Sequence, residues 1–154
     1  MARWLGWIDI EEDSDFEGYG VYKVRLVNSK GFPVEIPRFL DNDKDGILQI
    51  SRSENIRKGI HFFRGAMEGK KYANAEGKRL YLIKKYTDLT GIYKNYKLQY
   101  SFMKWTDKRA ARIEQERLLK WYIKRYGEAP PINNYLTEKY IYWESLDYDE
   151  SLNL

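Results

Sequence analysis

Glu114 falls one helical turn after Ala110 and one turn before Leu118, in a stretch of helix-forming residues spanning 107–134. A carboxylate on the apolar side of a helix must pair with a cation, take up a proton or bind a metal, because a lone buried charge is costly. The second suggestive spacing is DNDKDG, residues 41–46. Asp41, Asp43 and Asp45 occupy the first, third and fifth places of a calcium loop, and Gly46 the sixth. The twelfth place, which needs a bidentate Glu, is Arg52, so the run reads as a charged hairpin turn. The absence of Cys excludes disulfides, thiolate zinc sites and cysteine nucleophiles, and the single His, His61, excludes a multi-histidine metal site. Chemistry here falls to Tyr, Glu, Asp, Lys, Arg and Asn.

The elements that would position such groups follow from periodicity. Strict alternation around Lys23 and Arg25 predicts a half-buried strand over 21–27. Residues 32–40 are extended, and Pro33 and Pro37 confine them to an edge or an insertion. A short buried strand is expected at 47–51, then a helix capped by Ser53 and ending near Gly69. A second helix over 76–89 and a third strand over 97–105 precede the long helix. That helix starts after Asp107 and stops at Gly127, ahead of Pro130 and Pro131. Its apolar face is expected to comprise Ala110, Ile113, Leu118, Trp121 and Tyr122. Trp4 and Trp7 are expected to pack over the domain as a lid or short strand, and a short helix at 137–145 would lie in the polar tail. This order predicts an α/β (α+β) domain, a small antiparallel or mixed sheet of three or more strands flanked by helices.

At 154 residues the chain suits one domain with a proper core. No apolar run approaches the roughly 20 residues that cross a bilayer, and a soluble, cytoplasmic protein is expected. Residues 52–97 carry 12 basic and 4 acidic side chains, a local +8 against +4 for the whole chain. Such a segment is either a solvated helical face or a surface for a polyanion.

Several pieces combine into a larger pattern: Gly20-Val21-Tyr22 on a strand, an insertion, Gln49-Ile50-Ser51 on a second strand, and Asn55-Ile56-Arg57-Lys58-Gly59-Ile60 opening a helix. A strand, a helix bearing Glu114, and Asn133 in a Pro-Pro-Ile-Asn turn complete it. In order, spacing and element type this resembles the GIY-YIG endonuclease family over residues 18–134, leaving 1–17 as an N-terminal extension and 135–154 as a tail. A literal Gly91-Ile92-Tyr93 lacks the following strand and helix and is read as coincidence.

The resemblance implies metal-dependent cleavage of DNA phosphodiester bonds, with no membrane involvement. In that reading Tyr22 orients or deprotonates water, Glu114 holds Mg²⁺ or Mn²⁺, and Asn133 supports the geometry. The pattern departs from the family at three places: its second Tyr is Gln49, its Gly is Ser51 and its Arg is Gly59. Arg52, Arg57 and His61 lie at the same strand–helix junction and are the candidate replacements for the missing cation. The alternative is a catalytically degenerate module of the same kind that binds nucleic acid without cutting it. A mid-helix Gly costs about 1 kcal/mol against Ala, so Gly59 looks like a relic or an engineered change.

Overall fold

The computed structural model describes residues 2–86 and 95–133. The tail with its expected helix, the Gly91-Ile92-Tyr93 triplet and the end of the second expected helix lie outside them. Among the described residues the elements run β1 (Ile8–Asp9), β2 (Gly20–Val27), β3 (Ile36–Pro37), β4 (Asn42–Asp43), β5 (Ile47–Ser53), α1 (Ile56–Met67), α2 (Ala75–Tyr86), β6 (Lys97–Lys104) and α3 (Lys108–Tyr126). The expected α+β architecture is present: an antiparallel sheet ordered β1-β6-β2-β5 with helices on both faces, and a β3–β4 ribbon inside the insertion.

Alternation along β2 divides the core in two. Tyr22, Val24 and Leu26 face Ile56, Ile60 and Phe63 of α1, with Leu80 of α2 behind them. Val21 faces the opposite way, where Ile47 and Ile50 of β5 meet Ala111, Leu118, Leu119 and Tyr122 of α3. Residues directly opposite one another in the ladders share a face, so Ser51 and Phe102 go with Tyr22, while Arg52 and Met103 go with Val21.

Two sequence expectations are corrected here. The N-cap of α1 is Asn55, whose side chain accepts from the Lys58 amide. Ser53 instead folds onto Asn55, donating to its carbonyl and accepting from its amide. Leu118, Trp121 and Tyr122 are buried as expected, but the first half of the inward face of α3 is rotated by about one residue, to Ala111, Glu114 and Gln115, and Ile113 is 39% exposed. The helix limits themselves are as expected, with Asp107 accepting from the Ala110 amide and Gly127 in the left-handed region at φ 79°.

The N-terminal segment is part of the sheet. Ile8 and Asp9 pair with Tyr100 and Gln99, and the Leu5 amide donates to the Phe102 carbonyl. Trp4 and Trp7 cover Lys23, whose ammonium lies 4.1 and 5.0 Å from the two ring centroids, and the Arg25 guanidinium lies 4.0 Å from Trp7. Burial pulls the Lys23 ammonium down to about 8.

Candidate functional site

The positions that carry the sequence resemblance on the first two strands and the first helix converge around one hydroxyl. Tyr22 is 2% exposed, and Ser51 stands opposite it on β5. Gln49, one pleat along, points to the same face. A Cβ placed on Gly59 would lie 2.6 Å from Ser53 Oγ, 2.8 Å from Ser53 Cβ and 3.8 Å from the Tyr22 ring. The glycine is therefore required by the close approach of α1 to the end of β5, which corrects its reading as a relic. It also shows that position 59 faces Tyr22 and has no room for a larger side chain without movement of Ser53.

Two residues that sequence reasoning missed complete the cluster. Asn74 and Glu76, at the start of α2, act on the Tyr22 hydroxyl, Asn74 through its side-chain amide and Glu76 through its charge; Asn74 Oδ1 also accepts from the Gly77 amide at 2.8 Å. Their position at a loop–helix junction has no periodicity that would mark them. Burial pushes the Tyr22 phenol up to about 12; Ser51 opposes the rise and the charge of Glu76 adds to it, with smaller opposing effects from Asn74 and Gln49. Burial also raises the Glu76 carboxyl, opposed by its own backbone amide. Gln49 is fully buried, yet neither atom of its amide has a hydrogen-bond partner of good geometry. The result is a buried cluster rich in donors and acceptors, with one carboxyl near it.

The other expected site residues lie elsewhere. Glu114 rides on α3, the helix that packs on the opposite face of the sheet, and is 7% exposed. Of the three fates open to a carboxylate there, it takes the first: Oε1 receives a hydrogen bond from Arg117 Nη2 at 3.1 Å, one turn on. A metal at Glu114 would have to compete with that guanidinium, and no group of three or more His, Asp or Glu placed to hold a metal exists among the described residues.

Asn133 works on the backbone. Its Oδ1 accepts from the Ile50 amide and its Nδ2 donates to the Ile50 carbonyl, each at 2.9 Å, while the Ile132 amide donates to the Leu48 carbonyl. Together these close the open edge of β5, where Gln115 also reaches the Ile50 carbonyl at 3.3 Å.

Arg52 turns to the α3 face by its register with Val21, near Glu54 and Lys108. Arg57 is exposed, its nearest carboxylate being Glu17 at 4.0 Å. Neither arginine joins the Tyr22 cluster. The 41–46 turn holds Asp43, which is 1% exposed. It accepts from the Asp45 and Ile47 amides and from the Tyr122 hydroxyl, the last at 2.7 Å, so its carboxylate fastens the turn to α3.

The outer sides of α1 and α2 carry Arg57, Lys58, Lys78, Arg79 and Lys85 in exposed positions, with Lys70 and Lys71 on the loop between them. The acidic side chains between residues 52 and 86 are Glu54, Glu68 and Glu76 alone. Glu54 is paired with Lys108 on α3, and Glu68 lies 3.6 Å from Lys70. No known protein family, curated protein or solved structure matches this chain. No helix among the described residues is long and apolar enough to cross a membrane.

Proposed function

We propose that this protein is a GIY-YIG-like domain that binds DNA and does not cut it, located in the cytoplasm. The observation that carries the reading is the positive outer surface of α1 and α2, where, among the described residues, only Arg57 and Lys70 of the exposed cations lie within 4.0 Å of a carboxylate; such a surface suits a phosphate backbone. Three features argue for binding over cleavage. A phenol held at about 12 stays protonated at neutral pH and accepts no proton from water. Position 59 carries no cation for a phosphoryl transition state. Glu114 is engaged by Arg117.

A second reading, a metal-dependent endonuclease using Mg²⁺ or Mn²⁺, is favoured by one observation. Tyr22, Gln49, Ser51 and Gly59 converge at one place with Glu76 beside them. Both readings are tested together. Binding to a labelled duplex is measured across a salt series, and supercoiled plasmid is incubated with each metal. The expected result is affinity that falls steeply with salt and no nicking. Nicking by the native chain that is lost in both Tyr22→Phe and Glu114→Ala would establish the enzyme instead. Affinity that does not respond to salt would remove the nucleic-acid reading altogether.

A further inference from the structure

His61 and Phe62 are adjacent on the outer side of α1, and Tyr72, from the loop that follows, lies over the same helix. The three rings form a cluster with centroids 5.2 to 5.8 Å apart. Tyr72 reaches that place because residue 65 is Gly: a Cβ there would overlap the Tyr72 ring. Tyr72 is further fixed by its hydroxyl, 3.4 Å from His61 Nε2. Phe62 stays 41% exposed although it belongs to the cluster, so the rings present an open aromatic face to solvent. Buried loop packing would not leave that face open.

Cations border this face. Lys58 lies one turn before Phe62 on α1, and Lys71 directly precedes Tyr72. Both are exposed, and neither has a carboxylate within salt-bridge distance among the described residues. Aromatic faces beside unpaired lysines are the two components of a surface that holds unstacked bases while following their phosphates. A duplex offers the phosphates but keeps its base faces stacked and out of reach.

We infer that the His61–Phe62–Tyr72 face, with Lys58 and Lys71, is a binding surface for single-stranded nucleic acid, one base stacking on Phe62. The inference rests on the nucleic-acid reading above and deepens it by naming the strand state of the partner.

The test is fluorescence anisotropy with a labelled dT oligonucleotide, an rU oligonucleotide and a duplex of equal length, each across a salt series. The native chain is expected to bind a single strand more tightly than the duplex, and the dT and rU arms show which sugar is preferred. Phe62→Ala, a change at an exposed position, is expected to weaken single-strand binding about tenfold. It should leave the salt slope unchanged and duplex binding nearly so. Lys58→Ala should lower the salt slope by about one without changing the preference for single strands. Gly65→Ala, which displaces Tyr72 while keeping every charge, should act like Phe62→Ala. Equal or tighter duplex binding, with Phe62→Ala silent, would overturn this inference and leave the DNA-binding reading intact. No binding to any of the three would overturn both.

Discussion

On the α3 side of the sheet, Asp43 is 1% exposed, and two backbone amides and the Tyr122 hydroxyl converge on its carboxylate. On the α1/α2 side, Gln49 is buried at least as deeply, and among the described residues its amide makes no hydrogen bond of good geometry. Both groups lie under the same sheet within a few residues of each other in sequence, and both should be costly unless satisfied. The difference teaches which side is built for stability. The α3 side pairs its carboxylates and its late amide internally, Asp43 with Tyr122, Glu114 with Arg117 and Asn133 with the edge of β5, although the indole N–H of Trp105 on that side has no partner among the described residues. The α1/α2 side leaves polar capacity open around Tyr22 and puts unpaired lysines and an exposed ring on its outer surface. Surplus capacity of that kind is expected where a partner binds.

The comparison can be broken most directly at Asp43. Asp43→Ala leaves Tyr122 and two amides without their acceptor, and the expected loss is about 3–5 kcal/mol in urea unfolding. A loss below about 1 kcal/mol would mean that the α3 side does not depend on this network.

The next effect concerns pH. Tyr22 in the folded chain is raised to about 12 from its ordinary 10.0, with burial as the main cause. The folded state therefore holds its proton more tightly. The associated stability is fully present below pH 10 and is lost as pH rises from 10 towards 12. Tyr100, raised to about 12, adds to the same loss. Stability measured from pH 9 to 12 should fall, and Tyr22→Phe should lessen that fall by roughly 2–3 kcal/mol. A Tyr22 absorbance titration centred near 10 in the folded chain would contradict its closed surroundings.

The smallest expected effect has the opposite sign. Gln49→Leu removes an amide that makes no hydrogen bond of good geometry among the described residues, so it should be neutral or stabilising by up to about 1 kcal/mol. Destabilisation beyond that would show Gln49 to be satisfied in solution and would erase the contrast between the two sides.

Much of the scaffold was legible in the residues themselves. Asp107 and Gly127 bound the long helix because capping and left-handed backbone are local properties. Alternation marked β2 and β6 for the same reason, and a short buried run marked the core of β5. The two-residue β1 carried no pattern, and its pairing with β6 exists only because the folded sheet offers an edge there. For the candidate site, Tyr22 and its register partners could be identified from spacing and resemblance. Asn74 and Glu76 could not, because a loop and a helix start bring them to Tyr22 from more than fifty residues away.

By itself the sequence determined the limits of the long helix, the strand faces, the inward placement of Glu114 and the basic middle of the chain. All of these depend on neighbours within a turn or a pleat. Tertiary structure decided what those residues meet. It gave Glu114 to Arg117, set Asn133 against the backbone of Ile50, and turned Gly59 from an apparent cost into the contact that lets α1 approach β5. Such pairings depend on distances between elements far apart in the chain, and these are set only when the two faces of the sheet are packed.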